Sequence, residues 1–170
     1  LYSNTIGSAN TATGSRSLID NTTCVQNTAN GDESLLNNTL GNNNTAAGYQ
    51  SLHTNSTGDN NSAFGSLALD NNGTGNNNTG LGFSANVGSV NLTNATAIGA
   101  NSQIGQSNSL VLGSISGING ATADVNVGIG TTTPDNKLEI HSNGLAGAQT
   151  IVLGVGSTIS KRPVIQFSEG

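Results

Sequence analysis

The sequence predicts an all-β protein, a parallel β-solenoid in which each coil is one copy of a 17-residue repeat. Three observations predict this fold. Glycine recurs once per repeat along the first hundred positions, leucine and asparagine recur at the same interval, and charged residues avoid all of these recurring positions. Such a repeat is too short for two helices and too rich in Gly and Asn for one. It does fit one coil of short strands joined by tight turns.

The composition supports layers of small residues rather than a conventional core. Asn, Gly, Ser and Thr make up more than half of the 170 residues, and charged residues only 8%. Large apolar side chains are therefore too few for an ordinary globular core. Disordered chains usually combine high net charge with many prolines, whereas this chain has a net charge of -5 and two prolines.

The repeat reads T-A-x-G-x-x-S-L-x-x-N-x-T-G-x-N-N, and stacking its copies about 4.8 Å apart creates columns of equal residues. Gly and Asn supply the turns because both tolerate positive φ, and stacked Asn side chains can bond along a column. A second asparagine series begins at Asn10, and a second glycine series at Gly7. The main structural columns are Gly14, Gly31, Gly48, Gly65, Gly82 and Gly99; Leu18, Leu35, Leu52 and Leu69; Asn21, Asn38, Asn55 and Asn72.

The charged residues predict which positions face outward. Between residues 11 and 95 they are Arg16, Asp20, Asp32, Glu33, Asp59 and Asp70, all at variable positions of the repeat. Because burial of a charge is costly, the variable positions are predicted to lie mostly outside. The leucine column and the alanines of the repeat (Ala12, Ala29, Ala46 and Ala63) are predicted to lie inside.

One outward position becomes apolar along the chain. The residue before the recurring glycine is Thr13, Asn30 and then Ala47 in the early coils. Later it is Phe64, Leu81, Ile98, Leu112 and Ile129. An exposed position that turns apolar predicts a covered surface, and further copies of the same chain around a common axis would cover it. These five residues are the predicted contacts of a homotrimer.

The period changes near the end of the repeats. Gly113 follows Gly99 at a shortened step of 14, and Gly130 then follows Gly113 at the full step of 17. Beyond Gly130 a Thr-Pro turn precedes an alternating strand pattern over 137–141, with further strand candidates at 149–155 and 163–167. We therefore expect a solenoid domain over 1–130 and a short β transition or neck segment over 131–170.

The sequence predicts no enzyme, cofactor or metal site. Its two histidines, His53 and His141, form no Ser-His-Asp or Cys-His set, and His53 sits at an outward turn position. Cys24 takes the place of a repeat glycine and is interpreted as a tolerated small residue. No phosphate-binding, dinucleotide-binding or calcium-repeat motif is present. We therefore expect no catalytic, cofactor-binding or metal-ligating residues.

Other partners and modifications are constrained as well. A pI near 4.5 argues against nucleic acid and anionic membranes, and no apolar run reaches the roughly 18 residues of a membrane span. Glycosylation sequons occur at Asn21, Asn55, Asn72 and a few other sites. We interpret them as by-products of the repeat. The alternative is glycosylation, which would require these asparagines to face out.

Two stretches carry a family resemblance. The segments 44–52 (NTAAGYQSL) and 96–102 (TAIGANS) resemble the head repeats of trimeric autotransporter adhesins, units that recur in phage tail-fibre-like proteins. The segment 127–134 (VGIGTTTP) followed by 137–140 (KLEI) resembles the junction that follows those repeats. The resemblance covers about residues 1–140. It implies a left-handed parallel β-roll, trimerised along its length, outside the cell or on a virion. The 17-residue period is longer than the usual adhesin head repeat.

These observations leave three functions open. The first is a segment of an extracellular adhesin or receptor-binding fibre, on a cell-surface appendage or a virion, that attaches to a host surface glycan or matrix protein. The second is a passive structural filament. The third is an ice-binding solenoid, suggested by a threonine series (Thr11, Thr28, Thr45 and Thr79) that Ser62 interrupts.

Overall fold

The computed structural model describes residues 1–140, and within that range the chain is all β with no helix. The strands are β1 (Thr11–Thr13), β2 (Thr28–Asn30), β3 (Thr45–Ala47), β4 (Ser62–Phe64), β5 (Thr79–Leu81), β6 (Asn86–Val87), β7 (Ala95–Ile98), β8 (Gln103–Ile104), β9 (Ser109–Leu112), β10 (Val127–Ile129) and β11 (Leu138–Ile140). β11 corresponds to the strand expected over 137–141, as far as that segment is described. His141 and the candidates at 149–155 and 163–167 lie outside the described residues.

Seven of these strands stack into one parallel sheet in the order β1-β2-β3-β4-β5-β7-β9. Thr11 pairs with Thr28 and Thr28 with Thr45, so each strand lies beside its own copy one repeat later. The last pairing, Thr96 with Leu110, follows the shortened step in the sequence. The predicted parallel β-solenoid with 17-residue coils is therefore confirmed. Six intervals of about 4.8 Å make the stack about 29 Å long.

One half of the interior is apolar. Leu18, Leu35, Leu52 and Leu69 are all 0% exposed. All four have φ near +50°, a left-handed conformation that costs a non-glycine residue about 1–2 kcal/mol. Burial of a leucine side chain contributes about 2 kcal/mol, which offsets that cost. The turn at this corner thus depends on burial of leucine and not on glycine.

The other half of the interior is made of asparagine. The Nδ2 of Asn72 donates to Oδ1 of Asn55 at 2.9 Å, one coil away. In the second asparagine series, Oδ1 of Asn27 accepts from the backbone N–H of Asn44 at 2.9 Å, and Nδ2 of Asn44 donates to the carbonyl of Gly58 at 2.7 Å. These side chains are fully buried. Their burial is tolerated because each amide has partners both along its column and in the backbone.

The glycine column marks a corner that no other residue fits. Gly14, Gly31, Gly48, Gly65, Gly82 and Gly99 have φ between 112° and 145°. A Cβ on Gly31 would lie 2.6 Å from the carbonyl carbon of Gly48 in the next coil. Both the backbone conformation and the close approach of neighbouring coils therefore require glycine at this position.

The continuous sheet ends at Leu112, within the 1–130 range expected for the solenoid. Val127–Ile129 looks like a further coil in the sequence, but β10 pairs in parallel with β11 and not with β9. The loop between β9 and β10 turns back on itself. Within it, the backbone N–H of Val125 donates to the carbonyl of Ser114 at 3.1 Å. A Cβ on Gly113 would collide with the side chain of Val125. Val125 thus covers the glycine column where the next coil would otherwise stack.

Candidate functional site

Four of the five predicted trimer contacts form one continuous column. Phe64 pairs with Leu81, Leu81 with Ile98, and Ile98 with Leu112. Phe64, Leu81 and Leu112 are 44–47% exposed and Ile98 is half-buried. Ile129 is also exposed, but it belongs to β10 in a separate sheet and does not extend this column.

Two aromatic residues widen this apolar surface. Tyr49 and Phe83 each directly follow a residue of the glycine column and are 49% and 52% exposed. In the sequence their position is simply variable, because Ser, Asp and Ala also occur there. We call the six residues (Tyr49, Phe64, Leu81, Phe83, Ile98 and Leu112) the apolar edge. A column of large apolar side chains at the surface is typical of interaction sites.

A cluster of ionisable residues lies on the turn after the glycine column. Arg16 forms an ion pair with Glu33, and Nε2 of Gln50 donates to Glu33 Oε2 at 2.5 Å. Glu33 is only 8% exposed and is an exception to the prediction that charged residues of the repeat face outward. Burial of this carboxylate is tolerated because Arg16 and Gln50 occupy the same column one coil before and one coil after it.

His53 belongs to the same cluster. Its Nε2 lies 3.8 Å from Glu33 Oε2 and its Nδ1 lies 3.7 Å from Asp70 Oδ1. The imidazole is 26% exposed and lies between two carboxylates, so it is less solvated than a free turn residue. Burial raises the pKa of Asp70, and the nearby His53 opposes this shift.

Cys24 is buried and free. Its Sγ–H donates to the carbonyl of Thr39 at 3.0 Å, and burial raises the pKa of the thiol. A buried thiol held in its protonated form is a poor nucleophile.

Two further features of residues 1–140 concern ligands and membranes. No group of three or more His, Cys, Asp and Glu side chains in this range could hold a metal ion. The same range contains no helix long and apolar enough to cross a membrane. A pocket of about 260 Å³ lies at the end of the stack, where Leu112 and Val125 line it beside the Asp124–Lys137 ion pair of 2.7 Å.

The stacked sheet and the repeating interior define the class of this chain as a parallel β-solenoid repeat protein. Comparison with protein-family models, curated proteins and solved structures finds no match to this chain. A function for this chain is therefore inferred from its own residues.

Proposed function

We propose that this chain is a non-catalytic segment of an extracellular fibre, an adhesin or receptor-binding fibre that assembles as a homotrimer. The observation that carries the proposal is the apolar edge. Its column Phe64–Leu81–Ile98–Leu112 exposes one large apolar side chain per coil on a surface that is otherwise mostly polar. Such a surface gains stability when it is removed from water, at about 25 cal/mol per Å² of apolar area.

The regular spacing of the edge favours copies of this chain as its partners. Side chains in register on adjacent strands are about 4.8 Å apart. A partner that fills this column must offer apolar groups at the same interval along the same axis. A second and a third copy of the chain do so, and a closed ring of copies leaves no apolar edge uncovered.

The interior supports a role as a stiff spacer. Each coil of the stacked sheet pairs with the coil before it and the coil after it, so stability adds up along the stack. Side-chain and backbone hydrogen bonds link each coil to the next in both halves of the interior. A rod of this kind holds a binding tip at a fixed distance from a surface.

Sedimentation equilibrium tests the trimer directly. We expect a species of three times the chain mass of 16.9 kDa. Leu81→Asn should shift the mass toward that of the monomer, because it places an amide in the middle of the apolar contact. Leu40→Asn is the matched control, since Leu40 is 60% exposed but stands at a different corner of the repeat. A monomeric wild-type chain, or equal behaviour of the two variants, would contradict the assignment of this edge.

The alternative within the same architecture is a passive filament. Both functions use the same rod and the same trimer contacts, and they differ in whether an exposed turn binds a host molecule. An array of glycans and matrix proteins, probed with the assembled protein, separates them. Binding to any class supports the attachment function, and silence across the array favours the passive filament.

A further inference from the structure

The part of the chain that the structure describes contains nine Asn-x-Ser/Thr sequons, and their asparagines occupy very different environments. They are Asn21, Asn37, Asn43, Asn55, Asn60, Asn72, Asn77, Asn91 and Asn94. From the sequence alone, such motifs are interpreted as by-products of the repeat. The structure divides them into three groups according to the position of the side-chain amide.

In two groups the side-chain amide is buried or hydrogen-bonded in the folded protein. Asn21, Asn55 and Asn72 are 0% exposed and bond inside the coil stack. Asn37 donates its Nδ2 to the carbonyl of His53 at 2.8 Å, and Asn94 donates its Nδ2 to Asn108 Oδ1 at 2.9 Å. These five amides are therefore buried or already engaged.

The third group consists of Asn43, Asn60, Asn77 and Asn91, which are all exposed. Within the described residues their side-chain amides make no hydrogen bond. The first three form a column, since each lies one repeat after the last at the turn that precedes β3, β4 and β5. The hydroxyl residues of their sequons (Thr45, Ser62 and Thr79) begin those strands.

The backbone conformation alone does not account for asparagine in this column. Asn43, Asn60 and Asn77 have φ of 58°, a left-handed value that asparagine tolerates better than most residues. The same column, however, contains Ala9 at φ 56° and Gln26 at φ 60° in the earlier coils. The turn therefore forms without asparagine, and it places free carboxamides in sequons on consecutive coils.

We propose that Asn43, Asn60, Asn77 and Asn91 are acceptor sites for N-linked glycosylation of the folded protein. The co-reactant is a sugar carried on a diphosphate, of either a nucleotide or a lipid, together with a glycosyltransferase. The Asn Nδ2 attacks the anomeric carbon, so a C–N bond forms as the bond from that carbon to the diphosphate oxygen breaks. The diphosphate carrier leaves with the electron pair, and Nδ2 gives up one proton to a base of the transferase.

The glycosylated column is compatible with the proposed trimer and does not depend on it. Asn60 lies two residues before β4 and Phe64 is the last residue of β4, so their Cα atoms are at most about 13 Å apart. The two columns therefore flank opposite ends of the same strands. Sugars on one column leave the apolar edge free to contact another copy.

The test uses the full chain in two forms. Protein isolated from the cells that make it is digested with chymotrypsin, and the peptides are analysed by mass spectrometry for attached sugar. Unmodified folded protein is incubated with a soluble N-glycosyltransferase and a nucleotide-activated hexose, then analysed in the same way. Asn55 and Asn60 share one chymotryptic peptide, and so do Asn72 and Asn77, so fragmentation of each glycopeptide assigns the modified residue. We expect sugar on Asn43, Asn60, Asn77 and Asn91, and none on Asn21, Asn55 or Asn72.

Matched variants sharpen the result. Thr45→Ala should abolish modification of Asn43, whereas Thr45→Ser keeps the sequon and should preserve it. Gln26→Asn creates a sequon with Thr28 on the same exposed column and should add one modified site. Unmodified peptides in protein from its own cells would overturn the proposal, even if the reaction with the isolated enzyme succeeds. Equal labelling of Asn55 and Asn60 in the folded chain would overturn the argument from accessibility.

Discussion

The Nδ2 of Asn55 donates to Oδ1 of Asn38, its counterpart one coil earlier, at 2.9 Å, and both side chains are fully buried. The same Nδ2 also donates to the carbonyl of Gly58 at 3.0 Å in its own coil. Asn55 therefore joins neighbouring coils and closes its own turn, and Asn72 does the same through Asn55 Oδ1 and the carbonyl of Gly75. The interior of the solenoid is held by an amide ladder as well as by apolar packing.

Removal of one member of the ladder should destabilise the fold. Asn55→Ala deletes both donated bonds and the acceptor used by Asn72. Because a buried polar group without its partner costs about 1–3 kcal/mol, we expect a loss of about 2–4 kcal/mol in the free energy of unfolding, measured by chemical denaturation. Asn71→Ala, at an exposed position, is the control and should change stability by about 0.5 kcal/mol or less. Equal effects of the two substitutions would show that the ladder is not stabilising.

The glycine column should be intolerant of any side chain. Gly48 has φ of 143°, and a Cβ there would lie 2.5 Å from the carbonyl carbon of Gly65. We expect Gly48→Ala to lower the free energy of unfolding by more than about 3 kcal/mol, from backbone strain and overlap together. At Gly105 a Cβ meets nothing within 4 Å. Gly105→Ala should leave stability unchanged or raise it by up to about 1 kcal/mol, as thermal or denaturant unfolding would show.

Cys24 interrupts the amide ladder through its Cβ. Gly41, Gly58 and Gly75 occupy the same position in later coils, and a Cβ on any of them would collide with the Oδ1 of the asparagine three residues earlier. In the coil that carries Cys24, that asparagine is Asn21, and its buried Oδ1 has no hydrogen-bond partner in the described structure.

Without that Cβ, the Nδ2 of Asn38 should donate to the Oδ1 of Asn21. This bond would match the one from Asn55 Nδ2 to Asn38 Oδ1 in the next coil. We expect Cys24→Gly to be more stable than Cys24→Ala by about 1 kcal/mol. This order reverses the usual advantage of alanine over glycine. Denaturant unfolding of the two variants side by side measures the difference. An alanine variant as stable as the glycine variant would show that the Cβ does not break the ladder.

The charge on Asp70 should weaken the fold at neutral pH. Its pKa is raised in the folded chain by burial, from an ordinary value of 3.8. The folded chain therefore binds this proton more readily than the unfolded chain, so the contribution to stability is complete below pH 3.8 and is lost as pH rises through the folded pKa.

Substitution of Asp70 tests this sign. Asp70→Asn should melt at a higher temperature than the wild type at pH 7, and the difference should disappear near pH 3, as measured by circular dichroism. Asp20→Asn, at an exposed position, is the matched control for the removal of one negative charge from the surface. A variant that is less stable at pH 7 would mean that the attraction between Asp70 and His53 outweighs the cost of burial.

The interval between equal residues was sufficient to predict the β1–β2 and β2–β3 pairings and the sheet that they build. Each coil repeats the contacts of the last, so a shift of one repeat in the sequence becomes the register of the strands. The same interval misleads at the far end of the stack, because Gly113 and Gly130 are also one full repeat apart. There β10 pairs with β11. The paired residues Val127 and Leu138 are separated by less than one full repeat of the sequence.

Periodicity is enough to predict the fold class and the columns of equal residues, since residues one repeat apart stack once per coil. Periodicity does not predict how chemically equal residues differ in their surroundings. Asn55 lies inside the amide ladder and Asn60 lies on the surface, and Glu33 is buried between Arg16 and Gln50. These surroundings differ because burial of a polar group depends on partners supplied by the coils above and below, and these partners meet only when the stack forms.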